Sequence, residues 1–83
     1  MSQGVEDKMQ QQFIVLIAEA LEKERDEMSL TDRFREYEEW DSLALLSVIA
    51  AIKHNYDITI PRKEFDNLFT MADLFQYIMN CKR

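Results

Sequence analysis

The chain has 83 residues, of which 47% are hydrophobic, so it is long enough for one small domain and too hydrophobic for a disordered one. Its formal net charge of −6 makes nucleic acid a poor partner, because binding phosphates requires a basic face. One Gly and one Pro, among many good helix formers, favour an all-α fold in a single domain spanning residues 1–83.

The expected location is the cytoplasm. The only cysteine, Cys81, cannot form an internal disulfide, which suits a reducing compartment. The sequence contains neither a basic-then-apolar leader nor an apolar run of spanning length, so we expect neither secretion nor a membrane span.

The first predicted helix follows a tail at residues 1–5 that we expect to be frayed. It begins near Glu6 and ends near Lys23 to Arg25. Its apolar residues recur at steps of three and four, as in an amphipathic helix: Met9, Phe13, Leu16, Ile17, Ala20 and Leu21.

Residues 24–40 lack a sustained period and predict a long loop. We expect Leu30 and Phe34 to anchor it, with a turn of helix around Thr31 to Arg35. The Asp, Glu and Arg residues between the apolar residues of this loop, which also include Met28, Tyr37 and Trp40, are expected to be solvated.

The second helix is predicted from Asp41 or Ser42 to Tyr56. Asp41 and Ser42 can both cap a helix, and Ser42 at the N-terminus would lie where free amides and the helix dipole favour a phosphate. Its predicted buried face consists of Leu43, Leu46, Val48, Ile49, Ile52 and Tyr56. The apolar surface is wider than one stripe, so this is a central helix, or part of it faces a partner, or both.

The last third predicts a short extended segment and two further helices. Pro61 suits the start of a short third helix, with Phe65 and Leu68 pointing inward. Thr70 and Asp73 resemble a capping box that opens the last helix, Met71 to about Asn80. The core face of this helix is predicted to be Leu74, Phe75 and Ile78.

No constellation of catalytic or metal-binding residues is apparent in the sequence. A zinc site needs about four ligands, and the chain has one histidine and one cysteine. Ser42 and His54 would lie on one helix, roughly 18 Å apart at 1.5 Å per residue, too far for a catalytic pair. We therefore do not expect an enzyme.

The order of these features resembles the acyl carrier protein family from about Val5 to Met79. The features are an amphipathic helix, a long loop, Asp41-Ser42-Leu43 opening an apolar helix, the segment ending at Pro61, and a Thr-capped last helix. The resemblance implies a four-helix carrier-protein bundle, with three main helices and a short third one. It also implies that Ser42 carries 4′-phosphopantetheine donated by coenzyme A. Asp41 would contact the transferase near its metal ion.

The partners that the resemblance implies are a phosphopantetheinyl transferase and enzymes that activate or transfer acyl groups, acting on a monomer. The residues expected to dock these partners surround Ser42: Trp40, Leu43, Leu46, Ser47, Ala50, Glu38 and Glu39.

The chain departs from the family pattern in its charges. Glu38 and Glu39 stand where the family usually has Leu-Gly, and ten of the 16 carboxylates lie between Glu19 and Asp41. None lies in residues 42–56, where fatty-acid members of the family carry acids that partners read. This favours a specialised carrier over a housekeeping fatty-acid one. The alternatives are an aminoacyl or peptidyl carrier, or an unmodified helical domain that binds a partner through its apolar surface.

Overall fold

The computed structural model describes the backbone of residues 3–81 and the side chains of residues 8–81. It contains four α-helices: α1 (Gln3–Leu21), α2 (Ser42–Tyr56), α3 (Arg62–Phe65) and α4 (Met71–Cys81). Two 3₁₀ turns, Arg25–Glu27 and Phe34–Glu36, lie in the loop between α1 and α2. The all-α prediction is confirmed. Residues 1 and 2 of the predicted frayed tail lie outside the described residues, and α1 begins earlier than predicted.

Helix α1 ends at Leu21, two residues before the earliest predicted end. Glu22 adopts a left-handed conformation with φ of 57°. Its N–H donates to the Glu19 carbonyl (3.2 Å), and the Lys23 N–H donates to the Ala18 carbonyl (2.9 Å). This pattern is a Schellman motif, which usually has glycine at the left-handed position. The chain's only glycine is elsewhere, so the sequence carried no signal for this stop.

The long loop is fixed to the N-terminus of α4 by backbone hydrogen bonds. The N–H groups of Met71 and Ala72 donate to the carbonyls of Asp32 (2.9 Å) and Leu30 (2.8 Å). The first amides of a helix have no partner within the helix, so the loop supplies what α4 lacks. Phe34 is fully buried, which confirms it as an anchor, and Leu30 is half-buried.

Helix α2 spans the predicted residues but buries a different face. Ala44, Val48 and Ile52 point into the core, whereas Leu43 is 73% exposed and Leu46 is 61% exposed. The prediction that Leu43 and Leu46 are buried is therefore wrong. Because α2 is apolar around much of its circumference, several stripes fit the helical period, and only packing against α1 selects one of them.

The core lies between the three long helices and is completed by the loop and α3. Its largest fully buried side chains come from every one of these elements: Phe13, Ile17, Phe34, Val48, Ile52, Phe65, Met71, Leu74 and Ile78. The predicted core face of α4 is confirmed, as is the inward position of Phe65, while Leu68 is half-buried. No helix among residues 3–81 is both long and apolar enough to cross a membrane.

The predicted capping box of α4 is confirmed. The Asp73 N–H donates to the Thr70 hydroxyl (3.1 Å), and the N–H groups of Thr70 (3.0 Å) and Phe69 (2.9 Å) donate to the Asp73 carboxylate. The hydrogen bonds from the N–H groups of Phe69 and Thr70 hold the pKa of the Asp73 carboxyl below its ordinary value of 3.8.

We expect Asp73→Ala to lower the free energy of unfolding by about 1 kcal/mol at neutral pH, as for other lost caps. Because the pKa is lowered by folding, the stabilisation is complete above the unfolded-state value and is lost as the pH falls through the folded-state value. The difference between wild type and variant should therefore shrink in acid. Urea unfolding at neutral and acidic pH measures it. Asp26→Ala, at a 92% exposed side chain, removes the same charge and should change little; a loss at Asp73 that does not vary with pH would contradict the assignment.

Candidate functional site

Ser42 is the first residue of α2, and its side chain is exposed. Asp41 precedes it in an extended conformation, and its carboxylate accepts a hydrogen bond from the Ala44 N–H (2.8 Å). Asp41 is therefore the cap of α2, as predicted, and this fixes Ser42 at the helix N-terminus. A hydroxyl in this position faces solvent near unpaired amides and the positive end of the helix dipole.

Trp40 packs beneath this segment into a cluster of aromatic rings. It stacks on Phe65 of α3, with ring centroids 6.2 Å apart and planes 11° apart. It also meets Phe34 edge to face at 5.1 Å. The residue just before the Asp41-Ser42 pair is thus joined to the loop and to α3, which gives the segment a rigid support.

Arg35 joins the loop to the end of α3. Its guanidinium donates to the carbonyls of Phe65 (2.8 Å) and Leu68, and lies 4.7 Å from the Phe34 ring centroid. The Phe65 carbonyl, at the end of α3, also accepts from the Leu68 N–H (3.0 Å), so Arg35 adds a charged donor there and complements the negative end of the helix dipole. The prediction that the charged loop residues are solvated is wrong for Arg35, which is half-buried.

A cleft of about 270 Å³ adjoins Ser42. Its walls come from the loop, the start of α2, and α3: Arg35, Trp40, Asp41, Ser42, Leu45, Arg62, Phe65 and Asp66. Arg62 and Asp66 form an exposed ion pair of 3.5 Å at its rim. The cleft therefore combines an aromatic floor with two guanidinium and two carboxylate groups.

Lys23 connects the end of α1 to the segment before Ser42. Its amine lies 3.3 Å from the Glu39 carboxylate, 3.4 Å from that of Glu27, and 5.0 Å from the Tyr37 ring centroid. Partial burial acts to lower the pKa of Lys23, but hydrogen bonds to Glu39 and Glu27 raise it above its ordinary value. Glu39, predicted to dock a partner, is thus already paired within the chain.

The other predicted docking residues lie on the surface around Ser42. Leu43, Leu46, Ser47 and Ala50 are exposed on α2. Glu38 is exposed in the loop, whereas Trp40 is half-buried in the aromatic cluster. No group of three or more His, Cys, Asp or Glu side chains suited to a metal ion occurs among the described residues.

Comparison with known proteins identifies the family of the chain. The family model described as a phosphopantetheine attachment site matches residues 11–78. The chain belongs to the acyl carrier protein family. The proteins named "Acyl carrier protein" from Rickettsia canadensis (strain McKiel) and Rickettsia rickettsii (strain Iowa) are each 36% identical to it over 72 residues. The protein of the same name from Rickettsia typhi (strain ATCC VR-144 / Wilmington) is 35% identical. Each of the three matches covers 87% of this chain and 84% of the relative.

The cofactor of this carrier family is 4′-phosphopantetheine, as the sequence predicted. The residues present fit such a group. The exposed Ser42 hydroxyl can enter a phosphodiester, and the amides of the α2 N-terminus favour its negative charge. Arg62 also lines the cleft, where its guanidinium is paired with Asp66.

Sequence reasoning missed the far wall of this carrier's cleft. Arg62, Phe65 and Asp66 lie some twenty residues beyond Ser42 and contribute half of the aromatic floor and one ion pair. Phe65 was predicted to point inward, but nothing in the sequence indicated that it stacks on Trp40. A contact between two apolar residues so far apart has no local sequence signal.

Asp41→Ala should destabilise the carrier by about 1 kcal/mol, because the Ala44 N–H loses its cap. Asp41→Asn retains an acceptor at the same position and should stay within about 0.5 kcal/mol of wild type. Urea unfolding of both variants checks this. Equal destabilisation by the two changes would show that the charge, and not the hydrogen bond, matters.

Proposed function

We propose that this protein carries an acyl group as a thioester on 4′-phosphopantetheine attached to Ser42, and that it presents this group to partner enzymes as a cytoplasmic monomer. The observation that supports the attachment site is the exposed Ser42 hydroxyl at a capped helix N-terminus, inside the segment that the family model matches. The cofactor supplies the thiol and a flexible tether, which raises the cargo concentration at a docked enzyme.

The attachment requires a transferase, because this chain places no histidine near Ser42. Its only histidine, His54, is exposed near the other end of α2. In the proposed transfer, the Ser42 oxygen bonds to the phosphorus nearer the pantetheine of coenzyme A, and the pyrophosphate P–O bond breaks. Adenosine 3′,5′-bisphosphate leaves, and the hydroxyl proton passes to a base of the transferase. Asp41, which the family resemblance places near the transferase metal, lies next to the reacting oxygen.

The charge of α2 supports a specialised pathway over housekeeping fatty-acid synthesis. The exposed face of α2 is apolar at Leu43 and Leu46, and the helix has no carboxylate, while its only basic side chains are Lys53 and His54. Lys53 is itself paired with Asp57 at 3.2 Å. An enzyme whose basic patch reads an acidic helix would find little complementary charge here. Secondary metabolites, surface polymers and aminoacyl groups are the cargo classes that this favours.

The attachment is tested by incubating the full chain with coenzyme A, magnesium and a promiscuous phosphopantetheinyl transferase. We expect the intact mass to rise by one phosphopantetheinyl group, and fragmentation to place it on Ser42. An unchanged mass, under conditions in which a known carrier is modified, would overturn the proposal.

The second candidate is an unmodified helical domain that binds a partner through α2. The exposure of Leu43 and Leu46 favours it, since large exposed apolar side chains mark interaction surfaces. It differs from the carrier in one outcome: replacing Ser42 would leave its function intact.

A further inference from the structure

The cleft beside Ser42 has a closed floor. Trp40 lies flat against Phe65, and Phe34 meets both rings edge-on, at 5.1 Å and 5.5 Å. Phe34 and Phe65 are at most 1% exposed. A group that enters the cleft therefore meets packed rings before it reaches the core.

Arg35 holds this floor in place. Its two hydrogen bonds to the Phe65 and Leu68 carbonyls are charge-assisted, and its guanidinium also lies over the rings of Phe34 and Phe65, at 4.7 Å and 5.4 Å. Moving α3 away from the loop would break both hydrogen bonds and leave a half-buried cation without partners. Separation of α3 from the Ser42 segment is thus opposed by Arg35 and by the Trp40–Phe65 stack together.

The lining of the cleft is unsuited to hydrocarbon. Arg35, Arg62, Asp41 and Asp66 place charged groups around its walls. A hydrocarbon chain in the cleft would desolvate these groups without giving them hydrogen bonds. The side chains of α2 that face the core, Val48 and Ile52, are fully buried and already packed.

We propose that the Trp40–Phe65 stack and Arg35 together keep the interior closed beside Ser42, so that the cargo of this carrier stays in solvent and is short or polar. This rests on the proposed attachment at Ser42 and deepens it by naming the class of substrate. Arg35 and Trp40 are then specificity-determining residues, although neither touches the reacting atoms.

The test compares two cargoes on the full-length chain. A promiscuous transferase loads it from acetyl-coenzyme A or octanoyl-coenzyme A, and intact mass confirms each product. Hydroxylamine then cleaves the thioesters, and mass spectrometry follows the loss. We expect the two rates to agree within about twofold, whereas a tenfold slower cleavage of the octanoyl form, equal to about 1.4 kcal/mol of protection, would overturn the proposal.

Variants test the two named residues. Arg35→Met removes the two hydrogen bonds but retains an unbranched aliphatic side chain. If Arg35 keeps the interior closed, the variant should admit the octanoyl chain, and cleavage of the octanoyl form only should become slower. Arg33→Met is the control and should match wild type, because the Arg33 side chain is exposed and forms an exposed ion pair with Glu36 (3.8 Å). If Arg35→Met does not fold, Trp40→Leu tests the same floor. If the acetyl and octanoyl thioesters of a folded Arg35→Met or Trp40→Leu variant are still cleaved at equal rates, that residue does not keep the interior closed.

The two proposals fail in different ways. If no loaded product forms, the attachment at Ser42 fails, and the cargo proposal fails with it. If both products form and the octanoyl thioester is protected in wild type, the attachment stands and only the cargo proposal is overturned.

Discussion

Replacing Ser42 with alanine is expected to abolish modification by the transferase completely. The change removes the oxygen that would form the phosphodiester and leaves the cap of α2 intact, because Asp41 and not Ser42 accepts the Ala44 N–H. Ser42 is exposed, so the free energy of unfolding should change by no more than about 0.5 kcal/mol. Intact mass spectrometry after incubation with coenzyme A and transferase measures the effect.

Ser29→Ala is the control for this experiment, because Ser29 is also an exposed serine but lies in the loop, outside the residues expected to dock partners. It should be modified as fully as wild type. Modification that persists in Ser42→Ala, or that disappears in Ser29→Ala, would place the attachment elsewhere.

Phe34→Ala should cause a large loss of stability, about 3–5 kcal/mol, as for other buried phenylalanines. Phe34 is fully buried, although it lies in a loop, and its ring contacts Trp40 and Phe65. A domain of this size is stable by roughly 4–12 kcal/mol at 0.05–0.15 kcal/mol per residue, so the change removes a large part of the total. Urea unfolding followed by far-UV circular dichroism gives the difference.

Phe69→Ala is the control, because it removes an aromatic ring that is exposed and not buried. Phe69 is 58% exposed, and its ring lies 6.0 Å from the Arg35 guanidinium. Its replacement should cost no more than about 0.5 kcal/mol, as for other surface positions. Similar losses for the two variants would mean that the loop is not anchored through Phe34.

The helices that the sequence predicted well have strong local signals at their ends. Asp41 caps α2, and the Thr70–Asp73 capping box opens α4. The end of α2 follows from Asp57, which takes the left-handed conformation that Asp tolerates better than most residues. These hydrogen bonds join residues close together in the sequence, so they can be predicted without knowing the fold.

The features that the sequence did not predict depend on packing between distant segments. Leu43 and Leu46 look buried from the helical period, yet they face solvent because the side of α2 that meets α1 carries Ala44, Val48 and Ile52. Arg35 is predicted to be solvated, but it donates a hydrogen bond to the carbonyl of Phe65 in α3, thirty residues further along the chain.

The candidate site likewise has a part that the sequence predicted and a part that it did not. The adjacent pair Asp41 and Ser42 could be found from the sequence, because capping and the family motif are local. The cleft beside them could not, since its other wall is built by α3. In the cargo proposal, this wall closes the interior beside Ser42 and so keeps the cargo in solvent.

The hydrogen bonds between the loop and α4 use backbone atoms alone, donated by Met71 and Ala72 to Asp32 and Leu30. They therefore set a requirement on the spacing of the chain and not on the identity of its side chains. Thr31 lies between the two acceptors, and a one-residue insertion there would put the two carbonyls out of register with the helix. In related carriers, loop length between these points should accordingly be better preserved than loop sequence.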